Sequence, residues 1–254
     1  MLFKKNIKLV FSYDGTDFVG FQRQKKGRTV QGVLEEALLS ITGENIKVYG
    51  SGRTDSGVHA LRQVCNFYTS SKIPGNRFAY LLVYNLPKDI IPLYSDEVPF
   101  FFHARKSACF KTYLYILNLS PFNNILTSRY TLHYPFKLDI LKMQEASSFL
   151  LGTHDFSSFC AKTNVTSFVR TIYSCEVKKL KNLVFIKITG NGFLRNMVRI
   201  IVGTLVYVGR GKIPVHKIPL IIRACDRNLA GPTFPSRGLF LLDVGFTPFE
   251  KDEE

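Results

Sequence analysis

The order of strand-like and helix-like segments is the feature that most constrains how this chain can fold. In residues 6–13 the apolar side chains recur with a period of two, which predicts a strand. Residues 30–41 carry apolar side chains at the spacing of one helical face, so they predict a helix. Thr29 is the predicted N-cap of this helix and Gly43 its predicted C-cap.

Further strands and helices follow without the regular spacing of strand–helix–strand units. The predicted strands are 46–49, 64–68, 113–119, 174–179, 183–189 and 239–244, and the predicted helices are 139–151, 193–208 and 215–226. This mixture favours an α+β fold with largely antiparallel sheets over a doubly wound fold. A central stretch rich in turns and aromatics places a boundary at about His103, which divides the chain into residues 1–103 and 104–254.

The charge of the chain indicates a polyanionic partner. There are 34 Lys and Arg against 19 Asp and Glu, a formal net charge of +15, on a chain whose 46% hydrophobic fraction is typical of globular proteins. No apolar run approaches the roughly 18 residues that span a bilayer, and the lysines near the N-terminus argue against a signal peptide, so no membrane association is expected. We therefore predict nucleic acid as the partner.

The cysteines and histidines predict neither a disulfide framework nor a metal site. The five cysteines are widely spaced without a C-x-x-C pair, which is typical of a reducing cytoplasm. The histidines lack metal-ligand spacing, and the G-N-G segment at 190–192 has no third glycine of a dinucleotide fingerprint. We therefore expect no metal and no cofactor.

Residues 50–60 form the segment richest in chemically useful side chains. Three glycines surround a cation, Arg53, and a carboxylate, Asp55, and an imidazole, His59, follows. One interpretation is a tight polar turn in which Asp55 accepts backbone N–H bonds and pairs with Arg53. The other is a carboxylate held on a rigid loop, usable as a nucleophile or a base. The residue types alone leave both open.

The predicted helix at 193–208 is apolar nearly all round, yet it contains an arginine on one stripe. Asn196, Arg199 and Gly203 are spaced to share that stripe. The pattern alone favours a side chain that extends to water. The functional alternative is that Arg199 meets a buried carboxylate, for which Asp55 is the natural candidate.

Aromatic and basic residues alternate after residue 101. The segment F-H-A-R at 102–105 is followed by Lys111, Tyr113 and Tyr115, and the two tyrosines are spaced to face one side of a strand. Such a mixture suits stacking on bases beside phosphate contacts. Packing within a sheet explains alternating tyrosines equally simply, so this cluster has little weight alone.

Together these motifs resemble the bacterial tRNA pseudouridine synthase A (TruA) family across nearly the whole chain. The matching segments are YDGT at 13–16, TVQG at 29–32, GRTDSGVHA at 52–60, FHAR at 102–105, HDF at 154–156, MVR at 197–199 and GLFL at 238–241. The GRTD-x-GVHA block is highly specific, and the distant MVR block agrees with it.

The resemblance implies an isomerase that converts uridine to pseudouridine at positions 38, 39 and 40 of the tRNA anticodon stem-loop. It implies Asp55 as the catalytic carboxylate, Arg199 as the cation paired with it and Tyr113 as the aromatic that stacks on the target base. Arg53 would hold the flipped nucleotide and Leu241 would line the uracil pocket. Whether the carboxylate attacks C1′ or removes a proton from C2′ stays open.

His59 and Arg105 lie within matching motifs and are further candidate substrate contacts, although the pattern alone favours a structural role for His59. Lys111, Phe234 and Ser236 depart from the residues usual in the family. The expected fold is two ferredoxin-like halves, at 1–103 and 104–254, which form a continuous, mainly antiparallel sheet flanked by helices with a central basic cleft. The resemblance also implies a cytoplasmic homodimer.

Two other functions are compatible with these motifs. One is a non-catalytic tRNA-binding or folding factor with the same fold and the same basic surface. The other is a synthase of the same family that modifies different uridines. The first predicts that Asp55 is dispensable, and the second predicts a different map of pseudouridines in tRNA.

Overall fold

The computed structural model describes residues 4–250, within which the chain forms ten β-strands and five α-helices. The strands are β1 (Lys5–Tyr13), β2 (Tyr49–Gly50), β3 (His59–Thr69), β4 (Ile90–Val98), β5 (Phe110–Asn118), β6 (Leu132–His133), β7 (Gly152–Asp155), β8 (Val169–Leu180), β9 (Leu183–Gly190) and β10 (Leu239–Gly245). The helices are α1 (Val30–Thr42), α2 (Phe78–Val83), α3 (Ile140–Ser148), α4 (Met197–Gly209) and α5 (Ile218–Ala224). The outermost residues of the two predicted halves, 1–3 and 251–254, lie outside the described part.

The chain divides into two compact units. The first consists of Met1–Cys109 and Phe240–Pro248, and the second of Phe110–Leu239 and Phe249–Glu254. The predicted boundary at His103 falls inside the first unit, and the last strand joins the unit that begins the chain. The reason is a parallel pairing of β10 with β3, in which Phe240 is opposite His59.

The first unit is built on strands in the order β4-β1-β3-β10, with the short β2 paired to β3. Strand β1 is antiparallel to both β3 and β4. Apolar side chains of β1 and α1 form much of the core because they alternate in the strand and recur along one face of the helix. The fully buried ones are Ile7, Leu9, Phe11, Val30, Leu34 and Leu38.

The second unit is built on strands in the order β5-β9-β8-β7, with β6 parallel to β5. The pairs β5–β9, β8–β9 and β7–β8 are all antiparallel. Helix α3 packs against β8 and α4. Eleven of the thirteen residues of α4 are buried, which explains why its sequence is apolar on almost every side.

The prediction of an α+β fold with mainly antiparallel sheets flanked by helices is confirmed. Helix α1 is bounded as its sequence predicts, since the Thr29 side chain accepts a hydrogen bond from the Gly32 N–H and Gly43 is left-handed at φ 71°. Among the described residues, no helix is long and apolar enough to cross a membrane.

Several predicted boundaries are wrong. The helix predicted at 193–208 begins only at Met197, because Asn196 adopts left-handed backbone angles with φ 59°. The helix predicted at 215–226 is a short 3₁₀ turn, Val215–Lys217, followed by α5. Of the strand predicted at 46–49, only Tyr49 lies in a strand, the two-residue β2.

Candidate active site

The loop that carries Asp55 connects β2 to β3 and is fixed by backbone hydrogen bonds. The Val58 N–H donates to the Asp55 carbonyl at 3.2 Å, which closes a turn, and Gly57 inside that turn has φ +76°. The Phe21 N–H donates to the Thr54 carbonyl at 3.1 Å. The backbone on either side of Asp55 is therefore held within the first unit, while its side chain is half-buried.

Buried polar side chains also hold the same loop through hydrogen bonds. The Tyr13 and Thr54 hydroxyl oxygens lie 2.7 Å apart. The Ser51 hydroxyl donates to Gln63 Oε1 at 2.6 Å, and the Gln63 amide donates to the Gly52 carbonyl at 3.4 Å. Burial raises the pKa of Tyr13 to about 12, although its bonds to Thr54 and Gln63 oppose that rise. The Tyr13 phenol therefore stays protonated at neutral pH.

The turn at residues 14–16 packs directly against the Asp55 loop. A Cβ on Gly15 would lie 1.9 Å from the Val58 carbonyl oxygen, so only glycine fits there. Gly20 has φ +119°, and a Cβ on it would lie 3.0 Å from the Thr54 carbonyl oxygen. The glycines of the YDGT and F-V-G-F segments therefore allow close backbone approach to the loop.

His59 lies at the start of β3 and is 2% exposed. The Gly15 N–H donates to its Nδ1 at 3.1 Å, and Asp14 Oδ1 lies 3.2 Å from the same nitrogen. The ring stacks on Phe240, with 4.8 Å between ring centroids. These contacts favour the structural role that the pattern predicted for His59, and its contact with substrate stays a prediction.

The other candidate residues of the first unit differ in exposure. Leu241 is fully buried in β10, opposite Ala60 of β3. The side chains of Arg53 and Arg105 are exposed. The two arginines can therefore reach a polyanion in solution, whereas Leu241 can act only on a group that enters the protein.

Tyr113 belongs to β5 in the second unit, where it is opposite Ile188 of β9. It is 8% exposed, and its ring meets the Phe193 ring edge to face, with centroids 5.2 Å apart and planes at 84°. Phe193 therefore fixes the orientation of the ring that the sequence predicts to stack on a base.

Arg199 lies in the first turn of α4 and is half-buried. Its Nη1 donates to Asn196 Oδ1 at 3.0 Å, so the predicted neighbours on one stripe do contact each other. Its Nε donates to the Phe234 carbonyl at 2.6 Å. The guanidinium is therefore oriented by protein groups and does not simply extend into water.

The side chains that support the site were not predicted from the sequence. Tyr13, Ser51 and Gln63 support the Asp55 loop, and Phe193 orients Tyr113. One sign of this role was available, since Gln63 is followed in β3 by the apolar residues Val64 and Cys65. Within residues 4–250, no group of three or more His, Cys, Asp or Glu side chains is placed to hold a metal ion.

The chain matches the family model described as tRNA pseudouridine synthase over residues 9–105 and 146–247. It is 48% identical to tRNA pseudouridine synthase A of Brevibacillus brevis over 241 residues, which cover 94% of this chain and 99% of that protein. It is 47% identical to tRNA pseudouridine synthase A of Acetivibrio thermocellus, again over 94% of this chain and 99% of the relative.

A solved structure is also similar. It is a chain in a crystal structure of a Cbf5–Nop10–Gar1 complex, with a TM-score of 0.37 and 12% identity. The match covers 93% of this chain and 49% of the solved chain, so this chain spans about half the length of that one.

Proposed function

Because this chain belongs to the tRNA pseudouridine synthase family, whose members isomerise uridine to pseudouridine in tRNA, we propose that Asp55 is its catalytic carboxylate. We propose uridines 38, 39 and 40 of the anticodon stem-loop as its targets. The observation that supports the role of Asp55 most directly is the loop geometry: one half-buried carboxylate stands on backbone fixed on both sides.

The reaction breaks the N1–C1′ bond, turns the uracil and joins C5 to C1′. The proton on C5 is lost and N1 gains a proton, so the reaction is balanced without an oxidant or a reductant. The target base must first leave its stack, which costs a few kcal/mol. The protein must then keep the detached uracil from water and from escape. A carboxylate on a rigid loop suits either attack at C1′ or removal of the C2′ proton, because both need a fixed distance to the sugar.

Arg199 and Tyr113 are proposed to assist Asp55. A carboxylate that loses water tends to become neutral, and a cation keeps it ionised, which is the role assigned to Arg199. The contacts of Arg199 with Asn196 and Phe234 support this role because they orient the guanidinium. Tyr113 is assigned the stacking of the flipped uracil, supported by the edge-to-face contact that fixes its ring.

The remaining candidate residues are proposed to hold the RNA. Arg53 and Arg105 are exposed cations, suited to phosphate groups of the flipped nucleotide and its neighbours. Leu241 is proposed to line the uracil pocket. His59 is proposed to support that pocket indirectly, by holding the start of β3, where β3 pairs with β10. The protein is further proposed to act in the cytoplasm and to form a homodimer. Sedimentation at several protein concentrations tests the oligomeric state.

The test of the catalytic assignment is the pair Asp55→Asn and Asp55→Ala. Both variants should lose pseudouridine formation while their affinity for tRNA stays within about threefold of the wild type, since the reaction needs the carboxylate and binding relies on phosphate contacts. Turnover in either variant would refute the assignment. Mapping pseudouridine in tRNA from a strain that lacks the gene tests the target positions, which are wrong if 38–40 remain modified.

A further inference from the structure

We propose that Tyr13 is a positioning residue for the isomerisation: through its hydrogen bond to Thr54, its hydroxyl sets the place of the catalytic carboxylate. The inference rests on the proposed role of Asp55. Tyr13 itself is not assigned a contact with the substrate, because its buried hydroxyl is bonded to Thr54 and Gln63.

The contact joins the end of β1 to the residue immediately before Asp55. The Tyr13 and Thr54 hydroxyl oxygens are 2.7 Å apart, and Thr54 is 7% exposed. A hydroxyl pair at this distance in a buried place is a well-formed hydrogen bond, and removing one partner leaves the other unsatisfied. The Thr54 carbonyl accepts a second bond from the Phe21 N–H at 3.1 Å. Thr54 is therefore held at both its side chain and its backbone.

Gln63 holds the N-terminal end of the same loop, at Ser51 and Gly52. Its Oε1 accepts hydrogen bonds from the Ser51 hydroxyl at 2.6 Å and from the Val64 N–H at 3.1 Å, and its amide donates to the Gly52 carbonyl. Both Ser51 and Gln63 are fully buried. The remaining stretch of the loop carries Asp55, and Tyr13 contacts that stretch through the side chain of Thr54.

The hydroxyl and the ring of Tyr13 have separable roles. The ring packs near Phe11 and Phe18, at centroid distances of 6.0 and 6.4 Å. A phenylalanine at position 13 keeps this packing and removes only the bonds of the hydroxyl, to Thr54 and to Gln63. Displacement of a reacting group by about 1 Å can lower a rate by about 100-fold, so a lost positioning bond is expected to appear in kcat.

The experiment compares Tyr13→Phe, Thr54→Val and Thr54→Ser with the wild type in steady-state pseudouridine formation on tRNA. Tyr13→Phe and Thr54→Val should each lower kcat about 10- to 100-fold and leave KM within about twofold. Thr54→Ser keeps the hydroxyl and should stay within about threefold of the wild type. The double variant Tyr13→Phe/Thr54→Val should be no slower than Tyr13→Phe alone, because Tyr13→Phe already removes the bond to Thr54.

Tyr68→Phe is the matched control, since its hydroxyl donates to the Phe100 carbonyl at 3.2 Å, away from the loop. It should keep the wild-type kcat, and thermal melting establishes that all variants are folded. The proposal is overturned if Tyr13→Phe keeps the wild-type kcat, if only KM changes, or if Thr54→Ser is as slow as Thr54→Val. Turnover in Asp55→Asn would instead show that the catalytic assignment has failed, so the two failures are distinguishable.

Discussion

Arg199 and Phe234 exchange two hydrogen bonds. Arg199 Nε donates to the Phe234 carbonyl at 2.6 Å, and the Phe234 N–H donates to the Arg199 carbonyl at 3.2 Å. The first turn of α4 is thereby joined to the segment before β10 through one side-chain and one backbone hydrogen bond. The direction of the guanidinium depends on this segment, so the identity of the cation matters as well as its charge.

Arg199→Lys should lower kcat by about tenfold or more, although the positive charge is retained. A lysine ammonium cannot reproduce the planar set of donors that reaches both Phe234 and Asn196. Steady-state pseudouridine formation at saturating tRNA measures kcat. Arg195→Lys, at an exposed side chain nearby, serves as the control and should react at nearly the wild-type rate. An unchanged rate in Arg199→Lys would show that charge alone suffices.

Gly203→Ala should destabilise the second unit by about 3 kcal/mol or more, because its Cβ would lie 1.9 Å from the Pro232 carbonyl oxygen. Gly211→Ala is the matched control: it has φ +69° and open space around it, so it should cost only about 1–2 kcal/mol through backbone strain. Thermal melting of both variants provides the comparison. A Gly203→Ala variant that melts no lower than Gly211→Ala would contradict the packing argument.

The stability of the second unit should fall at alkaline pH in part through Cys175. Burial raises the pKa of this thiol from 9.0 to about 12. The unfolded chain therefore releases its proton at lower pH than the folded chain, so the stabilisation is complete below pH 9 and is lost between about pH 9 and 12. Cys175→Ala should show a shallower decline of melting temperature over this interval. Parallel curves for the two proteins would exclude the effect.

The affinity for tRNA should fall steeply with salt, since binding by a chain of net charge +15 releases counterions from the RNA. Arg53→Gln should reduce the slope of log K against log salt by about 0.7–0.9, the change expected for one lost phosphate contact. Arg53→Lys retains the charge and should keep the slope. Equal slopes in the wild type and Arg53→Gln would show that Arg53 makes no phosphate contact.

The sequence predicts the elements whose local preferences agree with their packing. Helix α1 has an N-cap, a C-cap and one continuous apolar face, and its bounds are close to the prediction. The predicted start of α4 is wrong because Asn196 adopts left-handed backbone angles. The apolar residues before it are equally compatible with a helix. Strand β4 was not predicted, because it contains Pro92 and proline is rare inside strands. Proline is tolerated on edge strands, and β4 is an edge strand of the first unit.

The site divides in the same way. The GRTD block marks the Asp55 loop, because glycines, a cation and a carboxylate are local features of the sequence. The supporting contacts are different, since Tyr13 and Thr54 are 41 residues apart and meet only when β1 and β3 have paired. Periodicity shows which residues face the core, but it does not show which buried hydroxyl will find which partner.

The parallel pairing of β10 with β3 has a consequence for synthesis on the ribosome. The first unit lacks one of its strands until residues 240–248 have emerged, long after its other part, Met1–Cys109, is made. At 5–20 residues per second, the wait is on the order of ten seconds. During that time the start of β3, at His59 and Ala60, lacks its partner strand, and this short exposed stretch of strand edge is where pairing with another chain is expected.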